Sequence, residues 1–179
     1  FTAHADRVSS VLKDRGATAR SALAASWSRS LVQHGLDPAK APLPHQLGFA
    51  EFREAFSRAE PMVWAAQETL DRLFVSVGDA GCCIVLSNCD GVILDRRVTS
   101  ATHHDFHDLR PGAVWSEACA GTNGVGTSLR EGRALIIHRD QHFMARHIGL
   151  SCTAAAVRDG QGRVAGALDV SVAGNELSP

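Results

Sequence analysis

Apolar positions recur every three or four residues through residues 1–80 and change character at Cys82. Within 17–34, Trp27, Leu31 and His34 fall on one helical face among the good helix formers Ala22, Leu23, Ala24 and Ala25. Gly35 suits a C-cap, and Leu36-Asp37-Pro38 closes the segment. Three prolines, Pro38, Pro42 and Pro44, make 38–48 a connector. Phe49, Phe52, Phe56 and Ala59 then resume helical spacing, Pro61 is expected to interrupt or restart the helix, and Val63, Ala66, Leu70, Leu73 and Val77 carry the stripe onward. That stripe suits either the chain's own sheet or a helix–helix contact between two copies. Gly78-Asp79-Ala80-Gly81 ends the helical part.

From Cys82 the pattern is that of strands. Residues 82–86 and 92–94 are short apolar runs around Asn88-Cys89-Asp90-Gly91, which predicts a hairpin. Residues 100–133 read as an irregular or helical crossover, with a helix at 127–131. Strands are predicted at 134–138, 153–158 and 164–172, with a short helix before the second of these and a hairpin turn at Asp159-Gly160-Gln161-Gly162. The order predicts an α+β fold with a mostly antiparallel sheet. The crossover and short helix are expected on one face. The N-terminal helices are expected on the other face or against a partner chain.

Composition narrows the function. The chain has 179 residues, 45% apolar and 21% charged, so it can bury a core without staples. Its 18 basic and 19 acidic residues form no basic block, which argues against direct contact with DNA or RNA. No apolar run approaches the ~20 residues that span a bilayer, and no secretory leader is seen; a cytoplasmic location and no membrane contact are expected. Residue 1 is Phe, so the chain reads as a fragment or trimmed piece. Five cysteines without CxxC spacing argue for reduced thiols over disulfides or structural zinc.

A P-loop is excluded: there is no GxxxxGK[ST], and the two lysines, Lys13 and Lys40, are both N-terminal. The densest segment is Trp115-Ser116-Glu117-Ala118-Cys119-Ala120-Gly121-Thr122-Asn123-Gly124-Val125-Gly126-Thr127. Its glycines allow either tight turns or a helix N-terminus that receives an anionic or carbonyl group. Six of the nine histidines lie between His103 and His147. His138, His142 and His147 suit pocket lining or, with Asp140, a metal. Cys152 is a buried thiol by default and a reactive one only beside a base such as His138, His142 or His147.

Ser26-Trp27-Ser28-Arg29-Ser30 followed by Gly35-Leu36-Asp37-Pro38 resembles the N-terminal signature of acetoin-catabolism-type regulators, which are sigma-54-dependent bacterial activators. Trp115-Ser116-Glu117, Gly121-Thr122-Asn123-Gly124-Val125-Gly126-Thr127, Gln141-His142-Phe143, Leu150-Ser151-Cys152-Thr153-Ala154-Ala155 and Val164-Ala165-Gly166-Ala167-Leu168-Asp169-Val170-Ser171 are similar, in order, to the GAF sensory domain of these proteins. The resemblance implies a GAF-like sheet with an N-terminal helical extension at 1–60, a sensory domain at 61–174 and a tail or linker start at 175–179. It implies a non-enzymatic input module that relays to ATPase and DNA-binding domains absent from this chain, through which sigma-54 polymerase and DNA would be reached.

A GAF-like pocket is expected to hold a small organic effector, lined by Trp115, Thr122, Asn123, His138, His142, Phe143 and Cys152. No cofactor or metal is assigned. A homodimer through the N-terminal helices is expected. Three other functions compete. Cys82, Cys83, Cys119 and Cys152 suggest a GAF-fold thiol reductase, which leaves Ser26 to Pro38 unexplained. A well-packed pocket would suit a protein-binding module. The histidine cluster with the thiols would suit a metal or redox sensor.

Overall fold

A computed structural model describes residues 2–13, 21–40 and 43–174. Residues 17–20 of the first expected helix, Pro42 of the connector and the expected tail at 175–179 lie outside the described residues. Five strands form one antiparallel sheet in the order β2-β1-β5-β4-β3: β1 (Cys82–Asn88), β2 (Ile93–Val98), β3 (Leu135–His138), β4 (Leu150–Arg158) and β5 (Val164–Ala173). All five predicted strands and both hairpins are present. The expected fold class, α+β with an antiparallel sheet flanked by helices, is the observed one.

Alternation along β1 assigns the two faces. Cys82, Ile84 and Leu86 point to one side and pack with Val63, Leu70, Val92 and Leu94. Cys83 and Val85 point to the other and pack with Ile93, Phe106, Leu109, Trp115 and Val125. The first face is covered by the long helix α3 (Phe49–Val77), whereas α1 (Thr2–Lys13) and α2 (Ala22–Ser28) precede it in the chain and sit elsewhere. The second face is covered by the crossover, which holds α4 (Glu117–Ala120) and α5 (Gly124–Glu131).

Helix α3 runs unbroken through Pro61, where the sequence predicts an interruption or restart. A proline inside a helix costs about 3 kcal/mol and frees the carbonyl four residues earlier. Here Pro61 and Ser57 are both exposed, so water can take the freed carbonyl. Ala55, Val63 and Leu70, on either side of the proline, bury against the same sheet. Fully burying one aliphatic side chain contributes roughly 1.5–3 kcal/mol, so the two halves together outweigh the proline.

The short helix predicted between β3 and β4 is instead two 3-10 turns, Arg139–Gln141 and Ala145–His147. The first predicted helix is also shorter than its pattern, ending at Ser28 and passing into a π-helical turn, Arg29–Gln33. Helices α1 and α2 do not lie on the far face of the sheet: α2 packs on the crossover and both cap the loop after β3. Val8 and Trp27 bury with Phe143 and Met144. The Trp27 indole N–H donates to the Gln141 carbonyl at 2.8 Å, and His4 Nε2 is 3.0 Å from the Phe143 carbonyl.

One polar node fastens this extension to the crossover. Arg29 donates from Nε to Glu117 Oε2 (2.8 Å) and from Nη2 to Glu117 Oε1 (3.0 Å) and Glu131 Oε1 (2.9 Å). The Ser26 hydroxyl donates to Glu117 Oε1 at 2.5 Å and lies 2.6 Å from Thr122 Oγ1. Glu117 is buried, and its bond to the guanidinium pushes the Arg29 pKa above its ordinary value. Removing one partner of such a buried pair strands the other charge. Glu117→Ala and Arg29→Met are each expected to lose about 3–5 kcal/mol in urea unfolding, and the double variant clearly less than their sum. Additive losses would show that the two side chains act independently.

Candidate functional site

The site lies between the sheet and the crossover, and its walls follow from the glycine-rich segment. Asn123 caps α5: its Oδ1 accepts the Gly126 N–H at 2.8 Å, while its Nδ2 donates to the carbonyls of Trp115 (3.0 Å) and Gly121 (2.7 Å). Gly124 and Gly126 are required by close approach. A Cβ at 124 would collide with Asp169 Oδ1 and stand 2.7 Å from Cys152 Cβ. One at 126 would stand 2.5 Å from the Glu117 nitrogen. Gly124 thus lets α5 press onto the side chains of β4 and β5, and Gly126 lets it meet the backbone at the first turn of α4.

Beneath α5 runs a buried row of polar side chains. Arg139 holds a left-handed φ of +43°, an uncommon and strained conformation for a residue with a side chain. Its carbonyl accepts both the backbone N–H of His142 (3.0 Å) and ring Nδ1 (2.9 Å). A carbonyl only accepts, so Nδ1 carries the proton and Nε2 offers a lone pair to the Cys152 thiol at 3.3 Å. Cys152 Sγ lies 3.1 Å from Ser171 Oγ, and the Ser171 hydroxyl donates to Asp169 Oδ2 at 2.6 Å. Register explains the row: Cys152 stands opposite Ser171 across the β4–β5 ladder, and Asp169 lies two residues along the same face.

Two groups end the row unpaired. Asp169 Oδ1 and both ring nitrogens of His147 are buried without a hydrogen-bond partner. Burial pushes Asp169 up to about 7, His142 down to about 4 and His147 down to about 3. Burial also raises Cys152 well above the ordinary thiol value and Cys83 to about 12, which holds both as thiols and argues against a nucleophilic role. The His147 ring stacks on Trp115 with centroids 4.6 Å apart. His147 also lines a cavity of about 250 Å³, with Asp105, Phe106, His107, Asp108, Leu109 and Arg146 among its walls. Arg146 and Asp108 form an ion pair at the rim. The arrangement offers one neutral imidazole with an unused donor and an unused acceptor, beside walls that are partly apolar and partly charged.

Of the residues expected in a pocket, Trp115, His142 and Cys152 are brought together around this row. Thr122 and Asn123 are buried close by, but their polar atoms are engaged with Ser26 and with the α5 cap. Phe143 belongs to the core beneath α1 and α2. His138 does not join: it is exposed at the end of β3, where Nδ1 lies 2.9 Å from the Ser151 hydroxyl. The pocket expectation omitted His147, Asp169 and Ser171. The alternation of Asp169 and Ser171 with Leu168 and Val170 was the available signal, since it places two polar side chains on an otherwise buried face. Among the described residues, no group of three or more His, Cys, Asp or Glu is arranged to hold a metal. No helix among them is long and apolar enough to cross a membrane.

Residues 3–179 match the family described as MimR, N-terminal domain. The acetoin catabolism regulatory protein of Cupriavidus necator is 37% identical over 150 residues, covering 82% of this chain and 22% of that protein. The propane 2-monooxygenase operon transcriptional activator MimR of Mycolicibacterium smegmatis is 29% identical over 158 residues, covering 86% of this chain and 26% of that protein. The chain therefore spans about a quarter of the length of these curated relatives. Among solved structures, the E. coli DhaR(N)–DhaL complex superposes with a TM-score of 0.79 at 21% identity, covering 88% of this chain and 54% of that one, which establishes a shared fold.

The opposed shifts give the row a pH signature. Asp169 binds its proton more tightly folded than unfolded, so its contribution is full below pH 3.8 and is lost as pH rises towards about 7. His142 and His147 do the reverse, gaining from about 4 and about 3 respectively up to the ordinary 6.5. In Asp169→Asn only the histidine terms remain. The melting temperature of the variant relative to the parent is expected to rise from pH 5 to pH 8 and then level off. A constant difference across that range would mean that Asp169 does not titrate there.

Proposed function

Because the chain belongs to the MimR N-terminal-domain family, a regulatory domain of AcoR/MimR-type transcriptional activators, we propose that it senses a small neutral organic effector in the cavity beside His147. The observation that carries this reading is the buried His147 imidazole, whose two nitrogens are unpaired and whose residue forms part of the wall of a cavity of about 250 Å³. A buried polar group without a partner costs about 1–3 kcal/mol, and a ligand that bonds it recovers that cost. Arg146 pairs with Asp108 at a rim that also carries Asp105 and His107, and His147 is neutral at pH 7, so the imidazole itself calls for a neutral donor and acceptor. A hydroxy-ketone, diol or small alcohol supplies the matching acceptor and donor and fits the volume.

In this reading Trp115, His142 and Cys152 hold His147 in place, while Thr122, Asn123 and Phe143 fix the crossover and the loop behind it rather than line the cavity. The chain is not an enzyme. The division into a helical extension, residues 1–60, and an effector-binding domain, 61–174, belongs to the same reading, with α3 shared by both. Helices α1 and α2 rest on the loop that carries His142 and His147, so an effector that binds one position of that loop better than another biases the extension. The signal passes to ATPase and DNA-binding domains outside this chain, through which sigma-54 polymerase and DNA are reached. The domain acts as a homodimer in the cytoplasm. A second reading draws on the solved neighbour being a complex with DhaL: the input would then be a protein surface.

A thermal-shift series with hydroxy-ketones, diols and small alcohols tests the first reading. At a hundredfold excess over Kd the effector is expected to add about 2.7 kcal/mol of stability. His147→Phe keeps a buried ring but removes both ring nitrogens, and is expected to abolish the shift while the fold is kept. The shift is expected to be unchanged from pH 5 to pH 8, since His147 stays neutral throughout. No shift with any of these compounds, together with no co-purifying small molecule in native mass spectrometry, would sink this reading and leave the protein-input one.

A further inference from the structure

Helix α3 shows the sheet one side and solvent the other. The stripe Val63, Ala66, Leu70, Leu73 and Val77, which as sequence suited either the sheet or a second helix, is committed to the sheet. The outward arc carries Glu54, Arg58, Pro61, Ala65, Glu68 and Arg72, all exposed and at spacings of three and four, with Arg58, Pro61 and Ala65 also edging a groove of about 700 Å³ beside the sheet. Glu54 pairs with Arg58 at 3.1 Å, and Glu68 pairs with Arg72 at 2.7 Å. The order is acid, base, small, small, acid, base. Reversed, it becomes its own electrostatic complement. Folding the series about position 63 sets Glu54 against Arg72, Arg58 against Glu68 and Pro61 against Ala65.

An isologous two-fold contact demands this property, because each patch must meet a reversed copy of itself. Small side chains at the centre let two helix axes approach to about 8 Å, the near end of the usual range. Beside the centre stands Trp64, 71% exposed, one position from the fold point. The same two-fold brings two Trp64 rings side by side. It also brings Val75, 85% exposed, next to Ala50 of the other copy. An indole and a valine left open on a helix that is otherwise charged on that side are hard to explain as solvent surface alone, and both become covered together.

We infer that a second copy of this chain docks antiparallel along the outer side of α3, with Arg58 on the partner's Glu68, Glu54 on the partner's Arg72 and Trp64 on the partner's Trp64. The inference rests on the homodimer reading and places the contact on the side of α3 that the sheet leaves open. The charges set register and direction, since exposed pairs contribute little affinity each. The indoles and the small central residues supply the buried area.

Sedimentation velocity over a concentration series, on the parent chain and on Arg58→Glu, Glu68→Arg and the double variant, tests it. Two-fold symmetry doubles every change, so each single variant creates two like-charge contacts and is expected to weaken the dimer on the order of tenfold or more. The double variant restores opposite charges and is expected to return to within about threefold of the parent. Trp27 and Trp115 are buried, so dilution is expected to move the emission of Trp64 alone to the red, a change lost in Trp64→Phe. Far-UV circular dichroism and melting confirm that each variant keeps its helix. A parent that stays monomeric up to about 1 mM overturns both this surface and the homodimer reading. A dimer that ignores both single variants overturns this surface and leaves that reading standing. A double variant as weak as the singles overturns the Arg58–Glu68 pairing.

Discussion

Nearly everything that gives this domain a site depends on the pairing of Arg29 with Glu117. The guanidinium comes from the helical extension, the carboxylate from the first turn of α4, and Glu131 at the end of α5 closes the fork. Bidentate geometry fixes direction as well as distance. The Gly126 backbone rests on the Glu117 nitrogen, and Asn123 is tied to the Trp115 carbonyl. Holding Glu117 therefore holds α4, α5 and Trp115 as one body over the sheet. A buried ion pair of this kind adds little net stability compared with an apolar substitute, but it specifies one arrangement, because every other arrangement strands a charge.

That body encloses a row of polar groups that is satisfied in its middle and open at its ends. Backbone conformation at Arg139 selects the tautomer of His142, which in turn orients the Cys152 thiol. Such networks are expensive when incomplete, because low local dielectric raises the cost of each missing bond. Among the described residues, His147 and Asp169, with the Ser87 hydroxyl, are therefore places where the protein departs from its own rule of burying only satisfied polar atoms. Departures of that kind concentrate where a fold has been shaped by something other than its own stability.

The strands, both hairpins, the fold class and the resemblance were legible in the chain because they rest on local patterns: period-two runs, Asp-Gly turns and an ordered set of short motifs. Three elements were misread for one reason. Pro61 read as interrupting or restarting its helix, the loop after β3 read as a short helix, and the N-terminal helices read together as covering the far face of the sheet or meeting a partner chain, where α3 covers that face and α1 and α2 pack on the crossover side. Each was decided by contacts with residues distant in sequence, such as Leu70 against β1 or Trp27 against the carbonyl of Gln141. Within the site, Trp115, His142 and Cys152 stood out by residue type. His138 looked equivalent to His142, since both flank the same turn, yet the 3-10 geometry turns one inward and leaves the other in solvent.

The sequence by itself determined the alternation that gives β1 two buried faces, the glycines at 124 and 126 that let α5 approach the sheet and α4 closely, and the family to which the chain belongs. These depend only on which side chains are present and in what order. Tertiary structure alone decided that Ser26 and Arg29 meet Glu117 across about ninety residues, that His147 is buried without a partner while His138 is not, and that α3 presents its charged side outward. The physical reason is that burial and pairing are properties of positions in space. A histidine, a carboxylate or an amphipathic stripe carries the same capacity wherever it stands, and only the packing of remote segments determines which of those capacities is satisfied and which is left available.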